Sequence, residues 1–156
     1  MNEYLEKFAK EKFSQPGRAL DLGAGDFTDV RGLKEEGWKG EGVDLKTGVD
    51  LEKPFLSKNR PFDLVYSNYV MHKLANRKEL VLTAFNNLKS GGWFFLQTFD
   101  ASDENSSSDL TQDTVSHLLG EAGFTEVSTR VFSVYDSEPG HNHWHKVLEA
   151  SARRRP

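Results

Sequence analysis

The chain contains no cysteine. That excludes disulfides, thiolate-held metals and cysteine nucleophiles, and it fits a cytoplasmic setting. No apolar run approaches the roughly 18 residues that a membrane span would need. The opening MNEYLEKFAKEKF has no apolar core of the kind a secretory signal carries. Neither sign of charge dominates: a net charge of −4 argues against a general nucleic-acid binder. No internal repeat is present. With those classes set aside, 156 residues are most simply one domain over 1–156, large enough to bury a core.

The most informative stretch is Ala19 to Thr28, ALDLGAGDFT. It reads as a short apolar strand running into a tight glycine turn and then a helix. Gly23 and Gly25 allow a sharp turn and close approach of a ligand to the backbone. The free amides of the following helix face the same spot. Before it, Tyr4, Leu5, Phe8, Ala9 and Phe13 form one apolar stripe, so 1–16 is expected to hold an amphipathic helix covering a sheet.

After the turn, Phe27, Val30 and Leu33 continue a helix that Asp26 or Thr28 is placed to cap, and Gly37 ends it. GEGVDL (40–45) reads as a second strand, which completes a βαβ unit. A short third strand is expected near Gly48 to Leu51. FDLVYS (62–67) is the next strand and suits a buried parallel position. Leu80 to Leu88 is a helix with a glycine stop at Ser90-Gly91-Gly92, followed by the very apolar strand WFFLQTF (93–99). DASDENSSSD (100–109) is expected to be a solvated loop, with a lid over the site as the alternative. A helix follows from Thr111 to Gly123. Two runs, 127–135 and 143–152, read as an antiparallel hairpin, and 152–156 as an exposed basic tail.

Four features line up: D-x-G-x-G after the first strand, an acid ending the second, an acid near the third, and SNY ending the strand at 62–67. This set resembles the class I S-adenosylmethionine-dependent methyltransferases, especially small type 11 members with FD-L-V and L-K-x-G-G segments. The resemblance spans roughly residues 17 to 99. It implies a three-layer, Rossmann-like α/β sandwich with a mostly parallel sheet and an antiparallel last strand. It implies S-adenosylmethionine as cofactor, with S-adenosylhomocysteine as product. The backbone at Gly23 and Gly25 would pass the methionine portion, with Asp21 and the Ser67 carbonyl near its ammonium group. Asp44 would take the ribose hydroxyls, Leu45 would pack on adenine, and Asp50 with the Leu51 amide would take the adenine edge. Set against these roles, Asp21, Asp44 and Asp50 can also be turn or strand-end acids.

His72, in the segment NYVMH, is the candidate base; its alternative is a structural hydrogen bond at a helix start. Tyr69 is placed to line the same pocket or to pack in the core, and Asp100, at the end of the 93–99 strand, faces the same cleft, with the start of the polar loop as its expected role. His141, His143 and His145 alternate, and two histidines at i, i+2 can ligate a metal. No third ligand is evident, so no metal is expected there. The segment SNYV lacks the D-P-P-Y pattern of nucleobase amino-methyltransferases, which favours a small-molecule acceptor. With no membrane or nucleic-acid signal, the other expected partner is a protein or a second copy completing the acceptor side. Two alternatives stand: a non-catalytic S-adenosylmethionine-binding module working with a partner, and an NAD-dependent oxidoreductase. The second wants a glycine where Thr28 stands.

Overall fold

Side chains on a strand alternate between faces, and the apolar strands of this chain are apolar on both. Ala19, Leu64, Tyr66, Trp93 and Phe95 fall on one face, packed with Leu5, Phe8, Ala9 and Leu33. Leu20, Val65, Phe94 and Leu96 fall on the other, packed with Leu80, Val81, Ala84, Val115 and Leu119. A sheet buried on both faces needs a helical layer on each side. The computed structural model, which describes residues 1–156, has that architecture.

The strands are β1 (Arg18–Leu22), β2 (Lys39–Val43), β3 (Phe62–Asn68), β4 (Leu88–Phe99), β5 (Phe124–Asp136) and β6 (His143–Arg154). They lie in one sheet of order β2-β1-β3-β4-β6-β5. The β2-β1-β3-β4 part is parallel, and β6 runs antiparallel to both β4 and β5. Helices α1 (Glu3–Lys12) and α2 (Thr28–Glu35) cover one face; α3 (Arg77–Asn87) and α4 (Gln112–Glu121) cover the other. The expected α/β class, the N-terminal helix and the C-terminal hairpin are all present. No helix is long and apolar enough to cross a membrane.

Three local expectations are corrected. The strand near Gly48 to Leu51 does not form, and β2 is the sheet edge. Asp44 instead caps a short 3-10 turn, Leu45–Thr47, through a reciprocal pair of hydrogen bonds with Thr47, and Gly48 takes φ +87°. Asp50 then closes its own turn by accepting from the Glu52 amide at 2.9 Å. No extended run survives between these turns. Asn87 ties the loop down from α3, donating to the Phe55 carbonyl and accepting from the Ser57 amide.

The glycines after α3 are not a stop before the strand but a bulge inside β4. Phe62 pairs with Leu88 and Leu64 with Trp93, so residues 89–92 loop out opposite Asp63. A Cβ on Gly92 would stand 3.0 Å from the Asp63 carbonyl.

The basic tail, too, is mostly structure. Arg153 and Arg154 belong to β6, and Arg154 donates to the carbonyls of Phe85 and Leu88 at 2.9 and 2.7 Å. A cation here satisfies carbonyls left open where α3 ends and complements the helix dipole. Arg154→Ala is expected to lower unfolding stability by about 1–3 kcal/mol, the range for hydrogen bonds made by a charged group. Chemical denaturation reads this directly, and an unchanged midpoint would refute the capping role.

Candidate functional site

The glycine turn is tied to the end of β2. The amides of Gly23 and Ala24 both donate to the Val43 carbonyl at 2.9 Å, and the Gly25 amide donates to Asp44 Oδ2 at 3.0 Å. The two glycines serve different ends. Gly23 has φ +93°, and a Cβ there would collide with the Val70 side chain. Gly25 has φ +57°, and a Cβ there would meet nothing within 4 Å. It opens onto the cavity.

Neither Asp26 nor Thr28 is the N-cap of α2: that place falls to Phe27, at φ +66° and without a side-chain hydrogen bond, while Asp26 accepts from the Thr28 amide at 3.1 Å and its hydroxyl at 2.7 Å. Close packing of helix on strand is supplied by Gly42, across from α2. A Cβ there would stand 2.7 Å from Ala24 and 2.8 Å from the Phe27 ring.

A cavity of about 750 Å³ lies over the carboxyl ends of β1, β2 and β3. Open parallel sheets bind ligands on this side. Its walls include Asp21, Gly23, Gly25, Asp44, Leu45, Asp50 and Leu51, seven of the residues that the sequence singled out. Five carboxylates line it (Asp21, Asp29, Asp44, Asp50, Glu52) against two lysines, Lys46 and Lys73.

Asp44 is held ionised. The amide hydrogen bond from Lys46, and then that from Gly25, keep its carboxyl below the ordinary range, with partial burial opposing. Each of its oxygens has accepted one amide, and a carboxylate has about four acceptor positions in all. Leu45 is 75 % exposed, an apolar side chain standing open on the cavity rim. Asp50 uses Oδ1 in its own turn, so the structural alternative for this residue is present.

Asp21 is the opposite case. It is 4 % exposed on β1. Burial above all, and then the charge of Asp29, push its carboxyl well above the ordinary range; a hydrogen bond with Tyr66 works the other way.

Ser67 does not line the cavity. It is fully buried in β3, and its hydroxyl donates to the Leu22 carbonyl at 2.8 Å. The next residue does line it. Asn68 lines the wall, donates Nδ2 to Asp29 Oδ2 at 3.4 Å, and leaves its Oδ1 buried with no hydrogen-bond donor.

Tyr69, also on the wall, has φ +61°, a conformation a bulky residue adopts only under strain. Its amide donates to the Gln97 carbonyl at 2.7 Å. Burial, then Tyr4 and Glu149, push its hydroxyl up to about 12, so it stays a neutral donor.

His72 lies outside this cavity, in the turn Met71–Lys73. Its amide donates to Thr98 Oγ1 at 3.2 Å and its Nδ1 pairs with the same oxygen at 3.0 Å, while its ring meets Phe99 edge-on. Burial, and then the charges of Lys73 and Arg77, hold the imidazole below its ordinary range. Asp100 does not line the cavity either; its Oδ2 accepts from the amide and hydroxyl of Ser102.

The 100–109 segment is pinned at both ends. Ala101 donates to the Leu110 carbonyl and Ser108 to that of Phe99. Asn2, which the sequence did not single out, caps α1. It donates its amide to Asp29 and its side chain to Gln97, which brings the N-terminus onto the cavity wall.

A family model described as a methyltransferase domain matches residues 1–144. No curated protein matches the sequence. Among solved structures, phosphoethanolamine N-methyltransferase 2 of Haemonchus contortus in complex with S-adenosyl-L-methionine is similar at TM-score 0.78 and 14% identity. That match covers 99% of this chain and 53% of the Haemonchus chain, so the chain spans about half its length. The 1,6-didemethyltoxoflavin-N1-methyltransferase of Burkholderia thailandensis is similar at TM-score 0.73 and 19% identity, over 99% of this chain and 78% of that one. A methyltransferase from Mesorhizobium loti gives TM-score 0.74 and 20% identity, over 95% of this chain and 96% of its own.

Asp21 yields a prediction that needs no ligand. Its folded-state pKa is raised, so the stability it contributes is present below the ordinary carboxylate range and is lost as pH rises through the folded value. Asp21→Asn removes that loss. The variant is expected to melt higher than wild type at neutral pH, with the gap closing in acid. Parallel melting curves across pH would disprove the buried charge.

Proposed function

The chain belongs to the methyltransferase domain family, and from that premise we propose that it is an S-adenosylmethionine-dependent methyltransferase with a small-molecule acceptor. The observation that carries this reading is the character of the cavity wall. It is rich in carboxylates, and the Asn68 Oδ1 is a buried acceptor with nothing to accept. An unsatisfied buried acceptor costs about 1–3 kcal/mol and suits a ligand with an ammonium group.

The residues fit such a ligand part by part. Asp21 and Asn68 would receive its ammonium group, and the bare backbone at Gly25 would admit its chain. Asp44 would accept from the ribose hydroxyls with its remaining lone pairs. Leu45 and Leu51 would pack against the purine, with Asp50 at its edge. When bound, S-adenosylmethionine supplies a methyl group on a positively charged sulfur, activated for in-line displacement. What the chain adds is alignment and the exclusion of water, which can be worth several kcal/mol. We place His72 on the acceptor side as the group that receives a proton. Its burial and cationic neighbours hold it below the ordinary range, which favours the neutral state that a base requires.

The Haemonchus contortus protein was determined with phosphomonomethylethanolamine and S-adenosylhomocysteine, and the Burkholderia thailandensis protein with 1,6-didemethyltoxoflavin and S-adenosylhomocysteine. Both support a small acceptor here. We read the chain as acting in a soluble, cytoplasmic setting through one domain. NAD is disfavoured by charge: its pyrophosphate would sit among the carboxylates that a sulfonium would neutralise.

Calorimetry on Asp44→Ala is expected to show loss of S-adenosylmethionine binding by 100-fold or more, and an unchanged affinity would sink the assignment. A thermal shift with NAD but not with S-adenosylmethionine or S-adenosylhomocysteine would favour the oxidoreductase. His72→Ala is expected to lower turnover by about 10²-fold or more, in line with loss of a base, with cofactor affinity unchanged because His72 is off the cavity wall. Cofactor binding with no turnover on any acceptor would favour a non-catalytic module.

A further inference from the structure

We propose that Asp136, His143 and His145 form a binding site for a divalent transition metal of the zinc class, with Asp103 orienting His145. The site is separate from the cavity and does not depend on methyl transfer.

The geometry starts with strand alternation. His143 and His145 open β6 two residues apart and share a face. Asp136 ends β5 and pairs with His143 across the hairpin. The sequence offered two ligands on one strand, and the turn between β5 and β6 brings the third beside them. His143 Nε2 and His145 Nε2 are 3.0 Å apart, and Asp136 Oδ2 is 3.9 Å from His145 Nε2. One ligand atom from each of the three residues lies within 4.8 Å of the others. Two imidazole nitrogens on a tetrahedral zinc stand about 3.3 Å apart, given Zn–N of about 2.0–2.1 Å. Movements of a few tenths of an ångström therefore suffice between the histidines.

The second observation is independent of the three ligands. Asp103, with a side chain only 1 % exposed, holds His145 Nδ1 at 2.8 Å through its Oδ2. A carboxylate accepts and does not donate, so the Nδ1 carries the hydrogen and the Nε2 lone pair points to His143 and Asp136. This carboxylate–histidine arrangement is the support that metal-bound histidines use. Two imidazoles and one carboxylate suit zinc and its first-row neighbours rather than calcium or magnesium, and leave one position open in a tetrahedron.

A second cluster, Asp136, Glu138 and His141, shares Asp136 but is more exposed, and no further carboxylate supports it. The half-buried set is the better site. An ion there would tie the hairpin tip to the loop carrying Asp103, whose Asn105 already donates to the Trp144 carbonyl at 2.8 Å. The His145 ring lies 4.5 Å from Phe99, which in turn meets His72 at 4.9 Å, so the ion would brace the wall behind the acceptor side.

The test uses the full chain without a histidine tag, stripped with a chelator and titrated with Zn²⁺ alone by calorimetry. One equivalent is expected to bind and to raise the melting temperature. His143→Ala and His145→Ala are expected to weaken binding at least 100-fold and abolish the thermal shift. Asp103→Asn should weaken it by about 10–100-fold, the usual effect of losing such a supporting group. His117→Ala, on exposed α4, is expected to change nothing. Circular dichroism checks that each variant is folded, and the partly exposed His143 decides the matter if His145→Ala is not. No stoichiometric binding by wild type, wild-type affinity in folded His143→Ala, or loss in His141→Ala with retention in His143→Ala would each overturn the proposal.

Discussion

A buried carboxylate without a cation sets the terms for the rest of this molecule. Asp21 sits buried on β1 between Gly42 of β2 and Tyr66 of β3. The charged groups that act on it, Asp29 and Asp44, are also acids, and both oppose its ionisation. Removing a charge from water without a partner costs several kcal/mol, so burial and the acidic neighbours favour the neutral form of this group, and a cation would favour the charged one. Around it the fold leaves an acceptor open at Asn68 and supplies few positive charges. A chain built only for stability would place an apolar residue at position 21. The structure instead keeps an electrostatic demand that a cationic ligand satisfies.

Much of this was legible from local pattern. Strand alternation, the glycine turn and the apolar stripe of α1 depend on neighbours a few residues away, and each appears where the pattern put it. What the sequence concealed depends on register. Ser67 and Asn68 are adjacent in sequence but point to opposite faces, so a single step decides which one meets the cavity. Asn2 and Asp29 lie 27 residues apart and meet only once α1 lies across the sheet. Residues 48–51 carry the apolar pattern of a strand, yet the capping box at Asp44 and the turn at Asp50 claim their backbone first. Arg153 and Arg154 look like a solvated run of charge until β6 ends beside α3. Of the candidate site, the family's acidic positions were readable, the His72 environment was not, and Asp136 was hidden inside what read as a simple hairpin turn.

One feature of the sheet crosses all of these boundaries. Arg130 pairs with Glu149, Glu149 with Gln97 and Gln97 with Asn68, in register across β5, β6, β4 and β3. Arg130 donates to Glu149 at 2.7 Å, Gln97 donates to Glu149 at 2.9 Å, and Asn2 donates to Gln97 at 2.7 Å. Gln97 is fully buried within the chain's most apolar strand, and it is tolerated because each of its amide atoms is paired. This row fixes the strand ends relative to one another. Each of these pairs is lost if a strand slips by one residue, so the row specifies one register more sharply than apolar contacts can. The row continues through Asn2 and Asp29 to Asn68, whose Oδ1 is buried with no donor.

The backbone of Tyr69 completes the argument about where the cavity ends. Its left-handed conformation costs about 1–3 kcal/mol, and glycine would adopt it without strain. The chain retains an aromatic ring there, held by an amide hydrogen bond to Gln97 and a ring contact with Phe99 at 5.1 Å. Phe99 is shared: Tyr69 lies against it on the cavity side, and His72 and His145 pack on it from elsewhere. A glycine at 69 would relieve the strain and remove a ring that lines the carboxylate-rich cavity and packs on Phe99. On the proposed reading, the donor's compartment ends and the acceptor's begins at that ring.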